Sequence, residues 1–496
     1  MLEHASRRRI ALICGLGVFG AASIWFVMHN LSKKKRLNTG TAFPTASSTQ
    51  AEVTKEGEND KEEPIRSRVR PPAENGRNGR IFPCPRYDCF PPIILQTVSA
   101  KEPGDHVGGD HDEKKAISSA VRSPVADFSD GVVDAELNLK SQGLGNKEAR
   151  DAIQQIHRNG HVKSLNLAEN PGITVPLEEW VTLVNLEKLD LSDTRISGDI
   201  RVLQTLAQLV ELDLAETKVS GDIQALQPLA LLTELFLNNT RVSGDIQVML
   251  HFGNLEELFL NKTAVTGSIE VMQSLERLTV LDLCETQVSG DIQALRFLGN
   301  LAELYLTDTQ VTGDIKALES LSNLKECWLA GTSVSGDVQS LQSLGCLLEL
   351  GLTNTMVSGD VQFLSSIEDL TWLNFMGTDI SGDIQALLPL RNLTVCSLAS
   401  ARVAGDIHVF KAMRQLTELH LSDTNVSGDI DSLASLFLLK ELDLANTQVS
   451  GHIDSLESLD QLTDLDLTNT LVSGDVKAFT AALPVDLTGE TSSDEE

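Results

Sequence analysis

LEKLDLSDTRISGDIRVLQTLAQ, residues 186–208, is a unit of 23 residues that the chain then repeats almost to its end. Its apolar residues are Leu186, Leu189, Leu191, Ile196, Ile200, Leu203 and Leu206. Leu189 and Leu191 alternate with Lys188, Asp190 and Ser192, the period-two pattern of a short strand with one buried face. Ile200, Leu203, Leu206 and Leu209 then recur every three residues, which predicts a 3₁₀-like return path. A unit this short cannot enclose its own leucines, so they must be buried against the copies before and after it.

The period is strict. Gly198 recurs as Gly221, Gly244, Gly267 and onward to Gly474, every step being 23 residues. Two irregular units precede the regular ones, because Leu137 to Leu165 is a step of 28 and Leu165 to Leu189 a step of 24. The first of them, LNLKSQGLGNKEARDAIQQI (137–156), joins a short strand pattern to a helical one. Strand and return paths differ in width, which predicts an α/β solenoid that curves, with a parallel sheet on the concave face and a 3₁₀ or irregular convex side. The strands of that sheet are spaced by about 4.8 Å.

Three further positions read as scaffold. The ninth residue of each copy is Thr (Thr194, Thr217, Thr240, Thr263 and onward), with Ala401 the exception. A hydroxyl there can satisfy backbone groups where the chain leaves the strand, and stacked threonines can continue this down the array. The glycine of SGDI supplies a backbone conformation closed to other residues. The Asp after it is a turn-forming acceptor rather than a ligand, since Ser268 and His452 replace it without disturbing the period.

The pattern LxELDLxxTxVSGDI, repeated from Leu186 to Val476, resembles the leucine-rich-repeat family, in the plant-type and bacterial variants that follow the strand with an SGxI segment. The ladder Asn of that family is present only as Asn170, Thr replaces it afterwards, and the Pro common after the Ile in the plant type is absent. The 28-residue first unit resembles the helix-containing ribonuclease-inhibitor type. The resemblance covers about 350 residues, Leu137 to Leu487, and implies a non-catalytic surface for protein or peptide recognition without naming a ligand.

A binding site is expected at outward positions that vary from copy to copy on the concave face. The position between the two strand leucines carries Phe236, Phe259, Tyr305 and Trp328, and Trp372 lies two residues earlier in its own copy. Clustered aromatics on a rigid surface are the usual anchors of an interface, although they could instead stack on one another and shield the sheet. Two residues before that position runs an acidic column that includes Glu211, Glu234, Glu257, Glu303, Glu326, Glu349, Glu418 and Glu441. Glu257, Glu303 and Glu326 are expected to form an acidic rim that favours a basic partner, with Lys188, Arg195, Lys218, Arg241 and Lys262 neutralising part of the column.

The formal charge of −30 opposes a nucleic-acid partner, whose phosphates need clustered Lys and Arg. No phosphate-binding loop, kinase signature, GxSxG or HExxH is present, so no enzyme, cofactor or metal site is expected. Cys327 and Cys396 replace core leucines and read as inert thiols, whereas Cys284 faces outward as the reactive candidate. His420 has no second ligand supplied by the pattern and reads as an exposed polar residue.

Ile10 to Met28 is 19 residues without a charge, about 28 Å of helix, and can span a bilayer. Basic residues flank it on both sides, which leaves the orientation open. A cleaved signal peptide ending near Gly20-Ala21-Ala22 is the alternative, and the apolar run through Ile24 to Val27 favours the anchor. The expected organisation is a basic tail (1–9), a transmembrane helix (10–28), a disordered linker (29–130), irregular capping repeats (131–184), regular repeats (185–487) and an acidic tail (488–496). Within the linker, Cys84 and Cys89 could pair, while the Asp and His residues of DHVGGDHD (105–112) read as solvated polar linker. Two functional classes fit: a membrane-tethered recognition protein, or a cytosolic-side scaffold or regulatory subunit, to which the SSDEE terminus leans.

Overall fold

The computed structural model describes residues 135–483. The expected transmembrane helix, linker, Cys84–Cys89 pair and acidic tail lie outside these residues. Among the described residues no helix is long and apolar enough to cross a membrane.

The first unit forms a strand, Ala135–Asn138, and a 14-residue α-helix, Asn146–Asn159. Ala149, Ala152, Ile153 and Ile156 recur at three and four residues, share one face and are buried. The Glu148 carboxylate accepts from the N–H of Gly145 at the helix start, and Gly160 ends the helix in the left-handed conformation. Asn170 ties this unit to the next. Its side-chain amide donates to the carbonyls of Leu139 and Leu167, and its oxygen accepts from the N–H groups of Gln142 and Leu144.

From Lys188 onward each copy contributes a three-residue strand to a parallel sheet of 15 strands, in strict chain order. The central residue of each strand, leucine except at Cys327 and Cys396, points inward and is buried, as are the apolar residues of the return path that recur at Ile200, Leu203, Leu206 and their equivalents, whereas others there, such as Leu250 and Phe297, face solvent. These side chains form one continuous hydrophobic core along the stack. The ladder extends beyond each strand. Leu214 donates to the carbonyl of Phe236 at 2.9 Å and Glu216 to that of Asn238 at 3.0 Å. The eighth residue of every regular copy holds a positive φ of 50° to 69°, which Asn, Asp and Gly tolerate best and often supply here.

The return path differs from the expected 3₁₀ or irregular segment. It opens with a second parallel sheet of 13 strands, built from segments such as Lys218–Asp222 and Arg241–Asp245, and only then enters 3₁₀ turns such as Ile223–Leu226. Gly, Ser and Asp are turn formers in isolation. Here the inward Val or Ile of each segment fixes it against the core, and its backbone pairs with the neighbouring copies. The SGDI glycines hold φ of 103° to 138°. A Cβ at Gly244 would overlap Asp222 Oδ1 of the preceding copy, so glycine is required both by conformation and by close approach. That same Asp222 oxygen caps the 3₁₀ turn by accepting from the N–H of Gln224, and Ser268 Oγ does the equivalent for Glu270.

The threonine hydroxyls bond within their own copies rather than continuing from one copy to the next. Thr217 donates to the carbonyl of Leu214, and Thr378 and Thr424 donate to those of Phe375 and Leu421, each at 2.6 Å. Ala401, between those last two copies, is buried and lacks this bond. Ala401→Thr should therefore raise stability by about 1 kcal/mol, the net worth of a satisfied hydrogen bond. A denaturant midpoint that falls instead of rising would contradict this.

Candidate functional site

In each strand of the longer sheet the residues flanking the buried centre share the outer face. Glu303, Leu304 and Tyr305 pair with Glu326, Cys327 and Trp328, which pair with Glu349, Leu350 and Gly351, which pair with Trp372, Leu373 and Asn374. Columns of acids and aromatics therefore run side by side across the sheet.

The five aromatics expected to form one hydrophobic centre separate into two groups. Phe236 and Phe259 are in register and stack with centroids 5.0 Å apart. Asp282 pairs with Phe259 on one side and Tyr305 on the other, and ends that stack. Trp328 and Trp372 stand on strands two copies apart, yet their ring centroids are 3.9 Å apart. The strand between them carries Gly351, whose added Cβ would lie 2.9 Å from Trp328 and 3.2 Å from Trp372. Only a residue without a side chain lets both indoles close over that strand. Trp328 is 2% exposed and Tyr305 6%, so these two form a floor. Phe236, Phe259 and Trp372 are half-buried and present the accessible ring surface.

The acids differ from the solvated rim that their spacing predicts. Glu257, Glu303 and Glu326 are half-buried, Glu257 standing in register between Glu234 and Val280 beside the phenylalanine pair. The Tyr305 hydroxyl donates to Glu326 and lies 3.2 Å from Glu303 Oε2. Burial first, then the charge of Glu326, pushes the Glu303 carboxyl up to about 7, against the hydrogen bond from Tyr305. Burial and the charges of Glu326 and Glu303 also raise Glu349, opposed by the Trp328 side chain. Burial lifts Asp282 to about 6. Glu303 and Glu349 are thus only partly ionised near neutrality. Lys188 neutralises Glu211 by an ion pair, but Lys218 and Arg241 begin strands of the second sheet and Arg195 precedes one, so none of the three belongs to this face.

Two readings of single residues change. Cys284 is buried, its N–H donating to Asp282, and is no exposed nucleophile. Cys327 and Cys396 are fully buried, and burial pushes both thiols up to about 12, so they are inert. His420 is also buried, at 7% exposure, and stands between two carboxylates. Its Nε2 lies 3.8 Å from Glu418 Oε2 and 3.8 Å from Glu441 Oε2. The sequence carried that signal in the column position shared by Glu418 and Glu441, but only the register shows that both flank His420.

At the level of sequence, no protein-family model and no curated protein matches the chain. Solved structures do. A TDR receptor aligns over 72% of this chain with a TM-score of 0.58 and 24% identity. A leucine-rich-repeat protein of Leptospira interrogans aligns over 75% of this chain and 98% of its own, with a TM-score of 0.54 and 22% identity. The chain is a leucine-rich-repeat solenoid. The Arabidopsis receptor kinase HAESA, solved in complex with the peptide hormone IDA and the co-receptor SERK1, aligns over 63% of it with a TM-score of 0.54 and 25% identity. The solenoid spans only 61% of the TDR receptor chain and 59% of the HAESA chain. Plant and bacterial structures both fit, in keeping with the mixed resemblance of the repeat.

Proposed function

We propose that this leucine-rich-repeat solenoid is a non-catalytic recognition protein, tethered to a membrane through Ile10 to Met28, that binds a basic protein or peptide on the outer face of its longer sheet. The observation that carries the reading is the patch around Gly351, where Trp328 and Trp372 converge beside Glu303, Glu326 and Glu349. The indole face of Trp372 attracts a guanidinium or ammonium group, and half-buried carboxylates supply its counter-charge in a medium that screens poorly. The phenylalanine pair offers an apolar contact farther along the same face. A structure of similar fold that holds a peptide hormone supports the same use of this scaffold. The charge-free run of 19 residues supports the tether.

Burial decides which variants test this. Trp328 and Tyr305 are too enclosed to truncate without disturbing the sheet, so the informative changes are Trp372→Ala and Phe259→Ala. A panel of immobilised Arg- and Lys-rich peptides should yield a binder for the full chain. Trp372→Ala should then weaken it by about thirty-fold, the usual cost of about 2 kcal/mol for losing an anchor. Gln247→Ala and Gln339→Ala, exposed on the 3₁₀ side, should leave it unchanged. Equal affinity for all four variants would sink the proposal.

A further inference from the structure

Away from the aromatic patch, the buried imidazole of His420 stands among oxygen donors. Glu418, two residues earlier on the same strand, shares its outer face, and Glu441 occupies the equivalent position on the next strand. One donor atom from each of the three lies within 4.8 Å of the other two. Their side chains are 19%, 9% and 8% exposed, so this is an enclosed group and not a solvated acidic face. A second observation comes from the preceding strand. Ser397, in register with His420, is 2% exposed, and its hydroxyl has no hydrogen-bond partner. An orphaned buried hydroxyl beside an imidazole flanked by carboxylates marks a place where something else is held.

We propose that Glu418, His420 and Glu441 form a binding site for a divalent transition cation of the zinc type, with Ser397 orienting the remaining ligand, a water molecule. The donor set suits such an ion, since imidazole selects against magnesium and calcium, and two carboxylates balance the charge of a divalent cation. The spacing is close to what is needed. Tetrahedral bonds of about 2.0–2.1 Å set donors about 3.3 Å apart, so the nitrogen-to-oxygen separations of 3.8 Å need to contract by roughly half an ångström and the two carboxylate oxygens, within 4.8 Å of each other, by at most about 1.5 Å. That is within the reach of glutamate side-chain torsions. The competing arrangement is a protonated imidazole held by the same two carboxylates, and it predicts no saturable metal binding.

The test uses the full chain carrying His106→Ala and His111→Ala, which removes the histidines of DHVGGDHD as rival ligands. After chelator treatment the protein is titrated with ZnCl₂ by calorimetry. One equivalent should bind and raise the melting temperature. His420→Gln and Glu441→Gln should weaken binding at least about a hundred-fold, Ser397→Ala about ten-fold, and His408→Gln, an exposed histidine elsewhere, not at all. Binding to His420→Gln as tight as to the parent, or no saturable binding by the parent, overturns the site. X-ray absorption on the zinc-loaded parent keeps the question open to refutation even if a variant fails to fold. One imidazole with oxygen donors is expected, and sulfur or several imidazoles would refute the assignment.

Discussion

Deleting residues 278–300, one whole copy, should leave a folded and cooperative protein, whereas deleting only 289–300 should abolish folding of the solenoid's middle. The whole-copy deletion joins Arg277 to Leu301 and restores every register, so each leucine still meets a leucine. The half-copy deletion removes the last three residues of the second-sheet segment Gln287–Asp291 and its whole 3₁₀ turn, with Ile292, Leu295 and Leu298, all fully buried. The remaining half-copy is too short to complete the circuit from one strand of the longer sheet to the next. Each lost side chain forfeits about 1.5–3 kcal/mol of burial, and the broken stack exposes comparable surfaces on both flanking copies, which together exceed the whole stability of an ordinary domain. Limited proteolysis should cut the second variant near its junction and leave the first intact. Similar melting curves for the two would rule out a stack with this period. The whole-copy deletion also removes Asp282 and brings the strand of Phe259 beside that of Tyr305.

Stability should fall as the pH rises from 5 to 8.5. The sign follows from Glu303, held up to about 7 in the folded chain, and from Glu349, also raised. Between an unfolded value of about 4.3 and those raised values, the folded state binds more protons than the unfolded one. Their contribution is complete below the unfolded pKa and is lost as pH climbs through the folded pKa. His420 is raised by Glu418, Glu441 and Asp443 against its own burial, and so acts in the same direction. Glu303 alone should contribute on the order of 2 kcal/mol, seen as a drop of several degrees in melting temperature. Glu303→Gln should flatten the profile. A melting temperature that rises over this range would show that these carboxyls are ionised at little cost. Binding of a basic peptide should follow the opposite course, since a docked cation favours the ionised carboxylates and affinity should climb with pH.

The positions that repeat were legible from residue spacing alone. Leu189 and Leu191 declare a strand, Thr194 a side-chain bond to the turn, and Asp199 a cap, because each depends on neighbours within one copy. The second sheet was not, since Ser220, Gly221 and Asp222 become a strand only by pairing with the copies on either side. The burial of Trp328 also depends on residues outside its own copy. It follows from Gly351 and Trp372, 23 and 44 positions later, and no local pattern ranks that glycine above any other variable residue. The burial of His420 is hidden from its own copy for a related reason: its partner Glu441 is adjacent only across the ladder.

In a one-dimensional stack, contacts that stop at the adjacent copy let each interface open almost independently. The two indoles that meet over Gly351 break this rule by joining the copy at 324–346 to the copy at 370–392, with a third enclosed between them. Such a second-neighbour contact, worth about 0.5–1.5 kcal/mol for an aromatic pair, favours the three copies opening together over one opening alone. Fraying that advances from either end meets this added contact at the centre of the array, and a partner seated on that patch rests on copies tied to one another twice over.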